Sequence, residues 1–402
     1  MSTPVTYARS TGRSGPLRLD VVTLAIVFSI LLLGLVMVTS ASMSIAAKEA
    51  GEPFLYLERQ LLLTLIGTAL AAVAVCIPTD VLEKLAWPLL IFAVVLLLAV
   101  LIPGIGHSVN GSRRWIRLLG FNFQASELAR VLVLIFLAGY AVRREAELRD
   151  GMAGLLRPVG LLGVIFILLL AQPDFGAASV LLVTGFGVLF LAGARIRDVL
   201  GIAAVCAVAL ALLVWIEPYR MRRLTSFLDP WADPFDSGFQ LTQSLIAIGR
   251  GEWFGVGLGA SVQKLFYLPE AHTDFLFAVL AEELGLIGVV VTLALFLALV
   301  WRAFWIARAA FAAGRKFPAY LAAGFGIWIG VQSLINIGVN MGVLPTKGLT
   351  LPLMSYGRSS MIVALAWVGI LLRVYHETVN EARGAATLRG HGRAHRDAEA
   401  AA

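Results

Sequence analysis

Cysteine is almost absent from the 402-residue chain, which holds only Cys76 and Cys206. Both lie inside apolar runs, so no disulfide framework is suggested and each thiol reads as buried filler. Charge is scarce as well: 14% of residues are charged and 59% hydrophobic, which excludes a water-soluble globular domain. The motifs of several enzyme classes are missing. There is no Asp-x-Asp to hold the metal of a nucleotide sugar, no P-loop, no Ser/His/Asp arrangement and no spaced His/Cys cluster for zinc. No internal repeat is visible, so an inverted-repeat transporter is not indicated.

In their place stand long, unalternating apolar runs that approach or exceed the ~20 residues needed to cross a bilayer as helix. They point to an all-α integral membrane protein rather than an outer-membrane barrel. About ten transmembrane helices are expected, at 20–40, 60–77, 81–102, 124–142, 156–172, 175–193, 197–216, 274–301, 319–343 and 357–376. The first run, Val21 to Val38, follows Arg9, Arg13 and Arg18. It exceeds the roughly 7–15 residues of a signal-peptide core and reads as an uncleaved anchor. Residues 1–19 then form a cytoplasmic tail, 20–376 the membrane domain with 217–273 as a large outer loop, and 377–402 a disordered cytoplasmic tail.

More than half of the 32 Lys and Arg residues fall on the side of the basic N-terminus, as the orientation rule requires of a cytoplasmic face. The net charge of +7 therefore follows from topology and gives no support to nucleic-acid binding. The remaining cations cluster on the outside. Arg113, Arg114 and Arg117 precede span four, with Arg130 inside it. Arg220, Arg222, Arg223, Arg250 and Lys264 lie in the large loop, and Lys347 and Arg358 flank the last outer loop. Solvated loop charges are one reading. A cationic pocket for an anionic lipid or pyrophosphate explains the clustering better.

Within the large loop, 241–248 has the pattern of an amphipathic interfacial helix. Gly249, Gly251, Gly255, Gly257 and Gly259 follow and permit sharp turns and close backbone approach; a phosphate cradle there lacks the Lys-Ser/Thr ending of a P-loop. Then Glu270, His272 and Asp274 crowd the start of span eight. Asp274 has two readings: a cap for that helix, and a general base at the water–lipid boundary. Glu282 and Glu283, deeper in the span, read as structural ion-pair members. Glu127 and Arg130 share a helix face at i and i+3, as a structural pair or as a means of aiming Arg130 at an outer cavity. Lys347 reads as a diphosphate contact or a snorkelling anchor, and Ser359 and Ser360 as N-caps.

Four stretches carry a resemblance: GSRRWIRLLGFNFQASELAR (111–130), AQPDFGAA (171–178), QSLIAIGRGEWFGVGLGASVQKLFYLPEAHTDFLFAVLAEELGLIG (243–288) and NIGVNMGVLPTKGLTLPLMSYGRSS (336–360). They resemble the SEDS family of bacterial cell-wall proteins, its division branch (FtsW) more than its elongation branch (RodA). The resemblance implies an inverting peptidoglycan glycosyltransferase that polymerises lipid II at the outer face of the cytoplasmic membrane during division. It makes Asp274, in the HTDF motif, the catalytic residue. It maps the family's Arg-Trp and Glu-x-x-Lys/Arg positions onto Arg114, Trp115, Glu127 and Arg130, and its Pro-Thr-Lys-Gly lysine onto Lys347. On this expectation Arg114, Arg130, Lys347, Arg250, Lys264 and His272 bind the substrate diphosphate. Trp115, Glu127, Glu270, Glu282 and Ser359 support them. A divalent cation, Mg2+ or Mn2+, assisting the diphosphate stays open, although no ligand set is visible. The implied partners are a class B penicillin-binding transpeptidase (FtsI) and the division regulators FtsQ, FtsL, FtsB and FtsN. One departure stands out: the family pattern Ser-Tyr-Gly-Gly-Ser-Ser has Arg358 in place of its second Gly. Two rival functions are compatible with ten spans, a lipid II flippase and a non-catalytic division scaffold.

Overall fold

The computed structural model describes residues 17–109, 112–118, 121–216, 221, 226–236, 238–346 and 348–399. In chain order its elements are α1 (Val21–Ala50), α2 (Leu55–Cys76), α3 (Thr79–Lys84), α4 (Ala86–Leu101), β1 (Gly106–Val109), β2 (Ser112–Leu118) and β3 (Phe121–Gln124). There follow α5 (Ala125–Arg143), α6 (Glu145–Asp150), α7 (Met152–Ala171), α8 (Phe175–Leu191), α9 (Ile196–Ile216) and α10 (Phe239–Gly251). The last three are α11 (Leu276–Ala312), α12 (Lys316–Asn340) and α13 (Arg358–Glu399). A helix covers each of the ten expected segments. Among the described residues, α1, α2, α5, α7, α11, α12 and α13 are long and apolar enough to cross a membrane, while α4 and α8 are apolar but shorter. The protein is a helical membrane bundle.

Local chemistry sets the helix ends. Asp20 caps α1 by accepting from the Thr23 N–H at 3.3 Å. Gly51, at φ 71°, closes the other end with its N–H on the Ala47 carbonyl. Because α5 is buried on nearly every side, it forms the central rod, packed by α4, α8 and α12. The long α13 lies along α2, and α11 along α12. Trp328 of α12 and Trp367 of α13 stack with centroids 4.9 Å apart, and Phe325 meets both edge-on.

At the end of the bundle away from α10, ion pairs join distant segments. Arg302 grips Asp20 through two 2.7 Å hydrogen bonds, with its guanidinium 4.0 Å from the Trp305 ring centre. Glu377 accepts the Thr79 N–H (3.0 Å) and Arg373 Nε (2.7 Å), and pairs with Arg315 at 3.0 Å. This anchoring bears on the tail. Residues from 377 onward, expected to be disordered, continue α13 as far as Glu399. Glu377 pins the base of the extension, and its Ala, Arg and Glu content favours helix.

Two further expectations are corrected. The loop before α5 is an antiparallel three-stranded sheet, with Gly106 opposite Ile116 and Trp115 opposite Gln124. The sequence signal was Asn110-Gly111 between segments rich in aromatic and β-branched residues. The cysteines are not buried: Cys76 is exposed and Cys206 half-buried. In a membrane protein an apolar run faces lipid as readily as protein, so hydrophobicity there does not imply burial.

The amphipathic α10 forms as expected and buries Leu241, Thr242, Ser244 and Ala247. Beyond it the chain meets a break in α11 at Gly285 (φ 63°, ψ −162°). Val256 and Gly257 N–H groups donate to the Glu282 and Glu283 carbonyls, and Leu286 N–H donates to Glu252. The backbones touch. A Cβ on Gly285 would lie 2.3 Å from the Gly255 nitrogen, and one on Gly255 2.1 Å from the Glu283 carbonyl oxygen. The glycine-rich segment thus cradles the chain's own broken helix.

Candidate active site

The turn that carries Asp274 is closed on itself. Glu270 adopts φ 56°, and its carbonyl accepts the N–H groups of Thr273 (3.1 Å) and Phe275 (3.2 Å). Its carboxylate takes the Thr273 hydroxyl at 2.7 Å. The turn is also tied down from outside. Asn336 and Asn340, one helical turn apart on α12, both donate to the Asp274 carbonyl, at 2.9 and 3.0 Å. Asn336 also donates to the Leu349 carbonyl, and Tyr356 N–H donates to the His272 carbonyl at 3.0 Å. A polar pair in an apolar helix therefore fixes the loop before α11 against the loop before α13.

The Asp274 side chain points into a cavity of about 740 Å³. Among the described residues its carboxylate has no hydrogen-bond or ion-pair partner. Burial and the neighbouring Glu270 charge push its pKa up to about 7, against the opposing pull of Arg114. A carboxylate so placed is a base at neutral pH that exchanges its proton readily.

Four helices present their amino-terminal ends to this cavity. Its lining includes Gln124 and Glu127 at the start of α5, Asp174 to Gly176 at α8, Asp274 and Phe275 at α11, and Gly357 to Ser360 at α13. Unpaired N–H groups and aligned peptide dipoles make each such end favourable to negative charge. Asp174 locks the junction: its carboxylate accepts Gln124 Nε2 (2.8 Å), Ser126 Oγ (2.7 Å) and the Ala177 N–H (3.2 Å). Gln124 N–H in turn donates to Ser359 Oγ at 2.7 Å. Several lining groups hold buried atoms without a partner: Arg114 Nε, Trp115 Nε1, Glu127 Oε2 and the Tyr356 hydroxyl. Orphaned polar atoms in a cavity of this size are what a polar ligand would satisfy.

The expected site residues divide. Arg114, Trp115, Glu127, Glu270, Asp274 and Ser359 meet in the cavity wall. Arg130 does not; it is buried, bonded to Glu127 at 3.1 Å and to Gln332, with the Trp328 ring centre 5.6 Å away. Its position orients Glu127. Arg250 lies outside the cavity wall and pairs with Glu282 at 3.2 Å, where Ser261 and the Val262 N–H also donate. Lys264 is buried against Glu283 (2.7 Å) and Ser40 (2.8 Å). Both glutamates are ion-pair members, as expected, and they draw Arg250 and Lys264 away from a diphosphate role. His272 packs edge-on to Tyr56, with centroids 4.8 Å apart, and burial lowers its pKa. It does not line the cavity. Lys347 lies outside the described residues, as do Arg220, Arg222 and Arg223.

The described wall of the pocket is therefore less cationic than the clustered charges imply. It holds Arg114 and Arg358 beside Glu127, Asp174, Glu270 and Asp274, because three other cations are consumed by glutamates. Among the described residues no three His, Cys, Asp or Glu side chains converge as a metal site. Asp174, Tyr356, Asn336 and Asn340 were not singled out as functional from the sequence. The visible signals were Asp174 in the tight Gln172-Pro173-Asp174 turn, and two asparagines spaced i and i+4 in an apolar span.

Comparison with known proteins agrees with this architecture. A probable peptidoglycan glycosyltransferase FtsW of Thioalkalivibrio sulfidiphilus is 57% identical over 362 residues, covering 90% of each chain. One of the same description from Nitrosococcus halophilus is 58% identical over 346 residues, or 86% of this chain and 89% of its own. Among solved structures, a chain from a peptidoglycan synthase complex that coordinates polymerization and crosslinking superposes with TM-score 0.74 at 32% identity. It covers 90% of this chain and 99% of its own. The rod shape determining protein RodA of Thermus thermophilus gives 0.67 at 33% identity, covering 90% and 98%. The family model for FtsW, RodA and SpoVE, described as cell cycle proteins, matches residues 21–380. With that match spanning nearly the whole helical bundle and its cavity, the chain belongs to the FtsW/RodA/SpoVE family of cell cycle proteins.

Proposed function

We propose that this chain is a peptidoglycan glycosyltransferase that polymerises lipid II during cell division. The observation that carries the reading is Asp274 itself. It is a carboxylate with pKa about 7 and no hydrogen-bond or ion-pair partner among the described residues, held by Asn336 and Asn340 at the edge of a cavity ringed by helix amino termini. Relatives above 50% identity described as peptidoglycan glycosyltransferases support the same reading.

Asp274 takes the proton from the acceptor hydroxyl of one lipid-linked sugar. The freed oxygen bonds to the anomeric carbon of the growing chain from the face opposite its lipid diphosphate. The bond from that carbon to the diphosphate oxygen breaks, the diphosphate leaves with the electron pair, and configuration inverts. Arg114 and the helix amino termini stabilise the charge that collects on the leaving group. Lys347 is assigned to the same role on its sequence position. Arg130 contributes indirectly, by orienting Glu127. Asp174 and Ser359 hold the α5, α8 and α13 ends in register. A divalent cation riding on the diphosphate is compatible with the cavity, but no described side-chain set holds one and no step here depends on it.

The cavity would open to the outer face of the bacterial cytoplasmic membrane, with both termini cytoplasmic and the protein concentrated at the septum. A cross-linking partner follows from likeness to the synthase-complex chain, and the class B transpeptidase FtsI is the partner proposed. FtsQ, FtsL, FtsB and FtsN are proposed as regulators. The test is glycan synthesis from lipid II by the purified chain with its transpeptidase. Wild-type protein should make polymer, and Asp274→Asn should lose at least about 100-fold in rate. A folded Asp274→Asn that polymerises at the wild-type rate would remove the base assignment, and lipid II crossing vesicles without polymer would favour a flippase.

A further inference from the structure

We infer that Arg358, Tyr356 and the first turn of α13 form a distinct diphosphate subsite in the cavity wall. The inference rests on the glycosyltransferase reading for the identity of its ligand. Its physical basis is separate.

Arg358 is the first residue of α13 and lines the cavity half-buried. Among the described residues it has no ion pair or hydrogen bond. Elsewhere at this end of the bundle Arg130 is matched by Glu127, Arg250 by Glu282 and Lys264 by Glu283, whereas Arg114 of the same wall, like Arg358, has no ion pair among the described residues. Tyr356, 6% exposed, belongs to the same wall, and its buried hydroxyl has no partner among the described residues. Its ring cannot swing freely. The Tyr356 N–H is bonded to the His272 carbonyl, and Tyr56 packs edge-on with centroids 5.1 Å apart. Between Tyr356 and Arg358, Gly357 has no side chain with which to cap the helix. The first-turn N–H groups are thus left to an external acceptor.

Three kinds of donor thus belong to one stretch of the wall: a planar guanidinium, a buried phenol and helix amides. Guanidinium forks match phosphate oxygens two at a time, and a helix amino terminus adds N–H groups and a favourable dipole. Among the described residues no carboxylate of the cavity pairs with Arg358, and two of the four are engaged elsewhere. Asp174 is spent on Gln124 and Ser126, and Glu270 on Thr273.

The experiment is calorimetric titration of the full-length chain in detergent with farnesyl diphosphate and, separately, inorganic pyrophosphate. Arg358→Gln should weaken farnesyl diphosphate binding about 10- to 100-fold, Arg358→Lys less, and Tyr356→Phe several-fold. An equal loss for pyrophosphate shows that the diphosphate alone is recognised; a loss confined to farnesyl diphosphate shows that the lipid-linked form is required. Either supports the subsite. Unchanged farnesyl diphosphate affinity in folded Arg358→Gln overturns it. Should that variant not fold, wild-type affinity in both Arg358→Lys and Tyr356→Phe overturns it equally. The two readings fail separately. Arg358-dependent binding by a chain that makes no glycan sinks the glycosyltransferase reading and leaves the subsite. Glycan synthesis with Arg358-independent binding does the reverse.

Discussion

Gly348 passes so close to Asp274 that a Cβ on it would lie 3.0 Å from the carboxylate Oδ2. The absence of a side chain lets the loop before α13 close over the Asp274 turn while leaving both carboxylate oxygens without a partner among the described residues. Asn336 joins the two segments from behind, through the Asp274 and Leu349 carbonyls. Asp274 is therefore held by contacts to its backbone carbonyl, with its carboxylate unpartnered among the described residues.

Gly348→Ala should displace the carboxylate by a few tenths of an ångström and lower the polymerisation rate about tenfold, with Gly348→Val costing more. Lipid II turnover alongside thermal unfolding would separate this from loss of fold, which should change little because Gly348 is exposed.

The raised pKa of Asp274 predicts the pH profile. The base is the ionised form, so the rate should climb about tenfold per unit below pH 7 and level off above about 8. A profile flat from pH 5.5 to 8 would assign the proton transfer elsewhere.

Stability should move the other way. The folded pKa of about 7 exceeds the ordinary 3.8, so the folded state holds the proton more tightly. Its contribution is fully present below about pH 4 and is lost as pH rises through about 7. Asp274→Asn, inactive, should therefore melt at a higher temperature than wild type at pH 8, and the difference should shrink towards pH 5.

Lys264 and Glu283 offer a sharp contrast between structural and substrate roles. Lys264→Met leaves Glu283 charged and buried and should destabilise by about 3–5 kcal/mol. The double variant Lys264→Met with Glu283→Leu should recover most of that stability, and with it activity. If the double variant folds as well as wild type yet makes no glycan, Lys264 touches substrate after all.

Asp174→Ala should free the α8 amino terminus and release Gln124 and Ser126, a loss of about 1–3 kcal/mol in stability. Turnover should fall further than that loss explains, because Gln124 carries the link to Ser359. Asp174→Asn, which keeps the cap but not the charge, should be intermediate in both measurements.

Much of this protein was legible in its residues. Apolar runs located ten helices to within a few residues at most ends, and the 241–248 pattern foretold α10. Asp274, the Arg114-Trp115 pair and Glu127 all meet at one cavity. Harder to read was which cations face it. Arg250 and Lys264 belong to the same loop as the corner, and only their pairing with Glu282 and Glu283 removes them. His272, two residues from Asp274, turns instead towards Tyr56.

The sequence by itself determined the membrane class, the helix positions and the family, because hydrophobic run length and motif wording are local properties of the chain. The tertiary structure decided what each charge does. An ion pair depends on a partner that lies 19 residues away for Lys264 and 282 for Arg302, and no local pattern encodes such distances. It also decided that four helices begin at one cavity, with Asp274 among them. That convergence is set by how the helices pack, and it turns a polar corner on one span into a site.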